Sequence, residues 1–189
     1  MSKSSLTLPK ILNKSIVACS RFFQIETLQL RFSNGEERDF ERMKGSKQGA
    51  VLIVPFYDKD TLLLIREYAA GTHSYELGFP KGLIDPGETP LEAADRELKE
   101  EVGFGAKEYS VLKKVVMAPS YFSSEMTLFV ANDLYPERLP GDEPEPLEVI
   151  KWPLSKADEL LARDDFQESR CISALLLVLK DLAQNNDIN

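Results

Sequence analysis

Apolar and polar positions divide the chain into short strands and a few helices. Gly49–Tyr57, GAVLIVPFY, is a continuous apolar run and predicts a strand buried on both faces. A polar Asp58-Lys59-Asp60 link leads to TLLLIREY (61–68), a second predicted strand, and Tyr75–Phe79 predicts a short third. Upstream, IETLQLRF and EERDFERM flank Ser33-Asn34-Gly35, so residues 25–42 read as a hairpin whose Asn-Gly supplies the positive φ angles of a tight turn. Residues 1–15 are polar and are expected to be loosely ordered. Further strands are predicted near 110–117, 125–132 and 147–152, with a Pro- and acid-rich loop over 136–146. Helices are predicted over 90–102, over SKADELLA with Ser155 as cap, and over 167–183 with Ile172, Leu175, Leu176 and Leu179 on one face. No internal repeat is visible, and the mixed order of strands and helices predicts the α/β class.

The helix over 90–102 has well-specified ends. Thr89 suits the N-cap, Pro90 the first helical position, Glu92 the far side of a capping box, and Gly103 the exit. Leu91, Ala94, Leu98 and Val102 form its apolar stripe, while Glu97, Glu100 and Glu101 share the opposite face. Carboxylates so close repel one another, and a hard divalent cation with oxygen ligands offsets that. Just before the helix, Asp85-Pro86-Gly87-Glu88 fits a type II turn. Gly82 lets the backbone pass close to a metal or phosphate, and Arg96 can pair with Glu88 to hold the loop's shape.

Composition narrows the setting. The chain has 189 residues, of which 43% are hydrophobic, enough for a domain with a core and some extension. No apolar run reaches the length of a membrane span, and the first residues lack the apolar stretch and cleavage site of a signal peptide. Cys19 and Cys171 have no metal spacing and read as free thiols of a cytoplasmic protein. A net charge of −8 argues against a nucleic-acid partner, though not against a small anionic substrate met through a bound cation.

Residues 82–104 read GLIDPGETPLEAADRELKEEVGF, and this stretch resembles the Nudix box, GX5EX7REUXEEXGU, at every specified position. Nudix hydrolases cut nucleoside diphosphates linked to another moiety. The resemblance implies an α/β/α sandwich of mixed sheets in which the box is a loop–helix–loop. It implies Mg2+ or Mn2+ as cofactor, in two or more ions, held by Glu97 and Glu101. Glu100 either ligates the metal or orients water on it, and the carbonyl of Lys81 is a further ligand. Gly82, Glu88, Arg96 and Gly103 shape the box.

Outside the box, the chain is similar to the ADP-ribose pyrophosphatases. Pro119, Ser120, Ser124 and Glu125 fit a segment of that subgroup, with Tyr121-Phe122 replacing its Pro-Gly; these aromatics are either an adenine-stacking surface or core. Asp142-Glu143-Pro144-Glu145 resembles the subgroup's acidic loop, which makes Glu143 the first and Glu145 the second choice for a glutamate beside the catalytic water, or else the loop is simply solvated. Two departures stand out. Arg66-Glu67-Tyr68-Ala69 replaces Arg-Gln-Tyr-Arg, leaving Arg66 as the substrate-binding candidate, and Pro80-Lys81-Gly82 is nearer to dinucleoside polyphosphate hydrolases. The mix implies hydrolysis of several ADP conjugates (ADP-ribose, diadenosine oligophosphates, NADH) to AMP and a phosphorylated partner. The alternatives are a Nudix hydrolase of other nucleotide-sugars or diadenosine polyphosphates, or a non-catalytic ADP-ribose-sensing module. By the same resemblance, residues 1–45 are an extension and hairpin serving homodimerisation, and 46–189 are the hydrolase domain. His73, the lone histidine, reads as an exposed loop residue and Trp152 as packing.

Overall fold

The apolar run after Gly49 becomes the middle strand of a mixed sheet. The computed structural model describes residues 6–186, in two units: residues up to Lys47 together with Val116–Ser124, and Gln48–Val115 together with Glu125 onward. The first unit contains β1 (Lys10–Cys19), β2 (Gln24–Arg31) and β3 (Glu37–Met43), an antiparallel sheet in that order. The second begins with β4 (Ala50–Asp58), β5 (Thr61–Ala69), β6 (Ser74–Gly78) and β7 (Lys81–Leu83). It continues with α1 (Pro90–Glu97), β8 (Phe104–Val116), β9 (Glu125–Pro136), β10 (Glu148–Pro153), α2 (Ala157–Leu161) and α3 (Ser169–Asn186).

The large sheet runs β10-β5-β4-β9-β8, with β6 on β5 and β7 on β4. β4 pairs antiparallel with β5 and parallel with β9, as the mixed-sheet expectation requires. Alternation along β4 separates two cores. Leu52, Val54 and Phe56 pack with Leu62, Leu64, Leu128, Cys171, Ala174 and Leu175, on the side of α2 and α3. Val51 and Ile53 pack with Leu63, Ile65, Phe129, Ala93, Ala94 and Leu98, on the side of α1. Because both faces are covered, β4 is apolar and buried from Ala50 to Phe56, and the α/β/α sandwich is the observed architecture.

Several boundaries differ from the sequence reading. Residues 10–15 are not loose: they belong to β1, whose side chains are mostly exposed and which is held by backbone pairing to β2. Lys14 adds an ion pair to Glu26 at 3.1 Å. Residues 1–5 lie outside the described residues. In the β2–β3 turn only Gly35 has positive φ (+88°); Gly35 N–H donates to the Phe32 carbonyl and Asn34 Oδ1 accepts from the Glu36 amide. β8 begins at Phe104, because Gly103 leaves the helix directly into the strand. Gly105 sits within it, where an added Cβ would meet the Tyr135 ring at 2.5 Å. Ser155 caps nothing, since a 3-10 turn occupies Leu154–Lys156 before α2. On α3 the buried residues are Cys171, Ala174, Leu175 and Val178, while Leu176 is 50% exposed.

The helix of the box begins as expected. Thr89 accepts from the Glu92 amide and Glu92 from the Thr89 amide, a complete capping box. The stripe differs by one residue: Leu91 is half exposed, and Ala93 joins Ala94, Leu98 and Val102 in the core. Burying Leu98 and Val102 stabilises this packing by about 1.5–3 kcal/mol each. After Glu97 the helix widens into a π turn, Leu98–Val102. Its carbonyls are engaged from the segment after β9: the Leu139 amide donates to Lys99, and the Arg138 guanidinium to Glu100 and Val102. π turns of this kind recur at functional sites, and this one carries Glu100 and Glu101.

Candidate active site

Arg96 organises the carboxylates. Its Nε and Nη2 grip Glu88 at 2.8 and 3.0 Å, Nη2 also reaches the Leu83 carbonyl at 2.9 Å, and Nη1 donates to Glu97 and Glu100 at 2.8 and 2.9 Å. All of the guanidinium's N–H directions are used, so lysine could not substitute. Glu88 also accepts the Asp85 amide at 3.0 Å, closing the turn in which Gly87 has φ +99°. The Arg96 guanidinium holds Glu88 below the usual carboxylate range, and Glu88 in turn raises Arg96. Through these bonds Arg96 ties the turn at Glu88 and the Leu83 carbonyl to the helix.

Gly82 is tight against Glu97. An added Cβ would lie 2.0 Å from Glu97 Oε1, so any side chain there displaces that carboxylate. Glu97 and Glu101 are 9% and 6% exposed, rare for carboxylates. Burial raises Glu97, with Arg96 opposing and Glu100 and Asp142 adding to the rise. Burial pushes Glu101 up to about 8, against the opposing pull of Lys81, and the charges of Glu97 and Glu67 push the same way as burial. Glu101 accepts the Lys81 backbone N–H at 2.9 Å, while Lys81 Nζ pairs with Glu67 at 2.7 Å. Burial lowers Lys81, but Glu67 more than offsets it and leaves the ammonium raised.

A cavity of about 240 Å³ opens over this cluster, lined by Glu97, Glu100 and Glu101 on one side and by Asp142, Glu143 and Glu145 on the other. Arg138 fixes the entry of the acidic loop to the π turn, and the Tyr75 hydroxyl donates to Glu145 at 2.5 Å. Glu143 is raised by burial, then by repulsion from Glu67 and Asp142.

Among the described residues no three carboxylate, imidazole or thiol side chains stand as a finished metal cage. Glu97 and Glu100 turn toward Arg96, and Glu101 toward the Lys81 amide. The donor set nonetheless fits a hard divalent cation: buried oxygen ligands raise one another's pKa, a conflict that a cation relieves.

The other candidates lie elsewhere. Arg66 binds Asp165 at 2.7 Å and Glu148 at 2.9 Å and does not line the cavity. Tyr121 and Phe122 belong to the N-terminal unit, where the Tyr121 carbonyl accepts the Met43 amide and Phe122 bridges to Met43. Three residues were given no role in the sequence reading: Glu67, Asp142 and Arg138. Glu67 carried a faint signal as a charge near the end of a buried strand; the other two blend into a charged loop.

Comparison with known proteins agrees with this geometry. A model of the NUDIX domain matches residues 46–176, and the chain belongs to the Nudix hydrolase family. A model of the NudE-type Nudix hydrolase N-terminal domain matches residues 9–42. The chain is similar to the ADP compounds hydrolase NudE of Escherichia coli (strain K12), with 61% identity over 94% of this chain and 95% of that one. It is also similar to the ADP-sugar pyrophosphatase of Mus musculus, with 27% identity over 90% and 87%. A crystal structure of an ADP compounds hydrolase superposes with a TM-score of 0.90 at 58% identity, covering 97% of this chain and 98% of that one.

Proposed function

We propose that this enzyme hydrolyses the diphosphate linkage of ADP conjugates, among them ADP-ribose, diadenosine oligophosphates and NADH, to AMP and a phosphorylated partner. The observation that carries the reading is the cavity in which Glu97, Glu100 and Glu101 face Asp142, Glu143 and Glu145. The 61% identity to an ADP compounds hydrolase supports the substrate class.

Glu97 and Glu101, with Glu100 and the Lys81 carbonyl, would hold Mg2+ or Mn2+, two or more ions in all. Bound there, the cations offset phosphate charge and lower the pKa of water. Arg96 fixes the carboxylates of Glu97 and Glu100 by hydrogen bonds, and Gly82 leaves Glu97 its room. Glu143 serves as general base, taking a proton from the attacking water, with Glu145 as the second choice. Burial and neighbouring charge raise Glu143, which suits proton acceptance. Water adds to one phosphorus as the bridging oxygen leaves with the other, so AMP and a phosphorylated partner result.

The N-terminal sheet serves homodimerisation, and the cytoplasm is the setting, in keeping with two unpaired thiols. No helix among the described residues is long and apolar enough to cross a membrane. Hydrolysis of a nucleotide panel in 18O water tests the activity: ADP-ribose and NADH should each give two products, one of which carries a single 18O. The reading is wrong if both stay intact while an unrelated nucleotide turns over.

A further inference from the structure

The acidic loop between β9 and β10 brings Asp142, Glu143 and Glu145 to the cavity that Glu97, Glu100 and Glu101 line from the helix. Like charges repel, so charge alone drives this loop away from the helix. Its two ends are fixed. The Leu139 amide and the Arg138 guanidinium bond to the π turn at one end, and at the other Glu148 pairs with Arg66 in the β10–β5 ladder. Between the ends, Pro140, Pro144 and Pro146 have no N–H to donate. Among the described residues, the segment 140–146 makes one hydrogen bond, which Glu145 accepts from the Tyr75 hydroxyl at 2.5 Å.

Tyr75 does not itself line the cavity. It lies on β6 opposite Tyr68 of β5 in the antiparallel ladder, and the two rings meet edge-on with centroids 5.9 Å apart. The Tyr68 hydroxyl is held in turn 2.8 Å from His73 Nδ1. The donor therefore stands on a paired hairpin and the acceptor on the loop. A short hydroxyl–carboxylate bond is charge-assisted and among the stronger ones. The bond to Glu145 raises the Tyr75 hydroxyl above its ordinary value of 10.0, so the donor keeps its proton at neutral pH. A phenol also brings no positive charge, which would compete with a bound cation.

We propose that Tyr75 is a positioning residue for hydrolysis: its bond to Glu145 holds residues 140–146 across the carboxylate cluster and keeps Glu143 in the cavity wall. The proposal rests on the hydrolase reading above, in which Glu143 takes a proton from the attacking water. It divides the two glutamates between them. Glu145 is committed to Tyr75, and Glu143, with no hydrogen bond among the described residues, is free to meet water. A loop released at Glu145 displaces that base, and a misplacement of about 1 Å can cost about a hundredfold in rate.

The test is steady-state hydrolysis of ADP-ribose with Mg2+ by the full chain, by Tyr75→Phe, by Glu145→Ala and by the double variant, with 15N relaxation of the Glu143 amide in the parent and in Tyr75→Phe. Tyr75→Phe should lower kcat about 10- to 100-fold with KM within about threefold of the parent. Glu145→Ala should lower kcat by a similar factor and the double variant no further, because both remove one bond. The Glu143 amide should move faster in Tyr75→Phe. Parental kcat in Tyr75→Phe overturns the proposal, as does a rise in KM alone, which would make Tyr75 a binding residue. Losses that multiply in the double variant overturn it too. A loss in Glu145→Ala far beyond that of Tyr75→Phe overturns it by making Glu145 the base. If the parent leaves ADP-ribose intact, the hydrolase reading fails, and relaxation still decides whether Tyr75 holds the loop: faster motion at Glu143 in Tyr75→Phe upholds that, and parental relaxation overturns it.

Discussion

Replacing Glu101 by glutamine should separate the cost of the site from its function. Glutamine keeps an oxygen to accept the Lys81 amide and removes the titrating carboxyl. In the metal-free protein the Glu101 carboxyl lies at about 8, against an ordinary value of 4.5. A carboxyl raised by folding contributes stability that is fully present below about 4.5 and is lost as pH rises through about 8. Proton linkage then removes about 2–3 kcal/mol of stability between pH 5 and pH 7. Glu97 is raised in the same direction and adds to the loss. The carboxyls lowered by folding, such as Glu88 and Asp165, act at acid pH and are ionised in both states above pH 5. Urea denaturation in EDTA at pH 5, 6, 7 and 8 measures the effect. Glu101→Gln should be comparable to the parent at pH 5 and more stable by about 2 kcal/mol at pH 7. Saturating Mg2+ should reverse that order, because the cation stabilises the ionised carboxylate of the parent alone. Parallel loss of stability in both proteins would refute the assignment of a buried carboxyl raised by folding to Glu101.

Other expectations concern the frame around that residue. Arg96→Ala strands Glu88, Glu97 and Glu100, and should cost about 2–4 kcal/mol by denaturant titration; Arg96→Lys should recover only part. Gly82→Ala should leave the melting temperature within about 2 °C of the parent, since the added methyl meets the end of a flexible side chain, yet weaken Mn2+ affinity about tenfold or more by calorimetry. Glu143→Gln should lower kcat by about 10²–10⁴-fold with little change in KM if Glu143 is the base; a full-rate Glu143→Gln enzyme would move that role to Glu145.

Local features of the site were readable from residue spacing because they are set within a few residues of one another. The Asp85–Glu88 turn, the Thr89 cap and the Arg96–Glu88 pair all close across short loops. The π turn was not readable, because donors from Arg138 and Leu139, distant in sequence, engage the carbonyls that it carries. Glu67 and Asp142 were missed for the same reason: their coupling to Glu101, Glu97 and Glu143 runs between elements that only the sheet brings together. β1 escaped because pattern detects strands through buried alternation, and its side chains are almost all exposed. Leu91 and Leu176 show the converse, apolar residues at the right spacing that remain half exposed.

The most direct measurement is turnover of ADP-ribose by the purified full chain and by Glu101→Gln, with Mg2+ and then with EDTA, following AMP and ribose 5-phosphate. The account predicts cation-dependent release of both products by the parent, none in EDTA, and a loss of about 10³-fold or more in Glu101→Gln. Full activity of Glu101→Gln, or parental turnover indifferent to the cation, would contradict it.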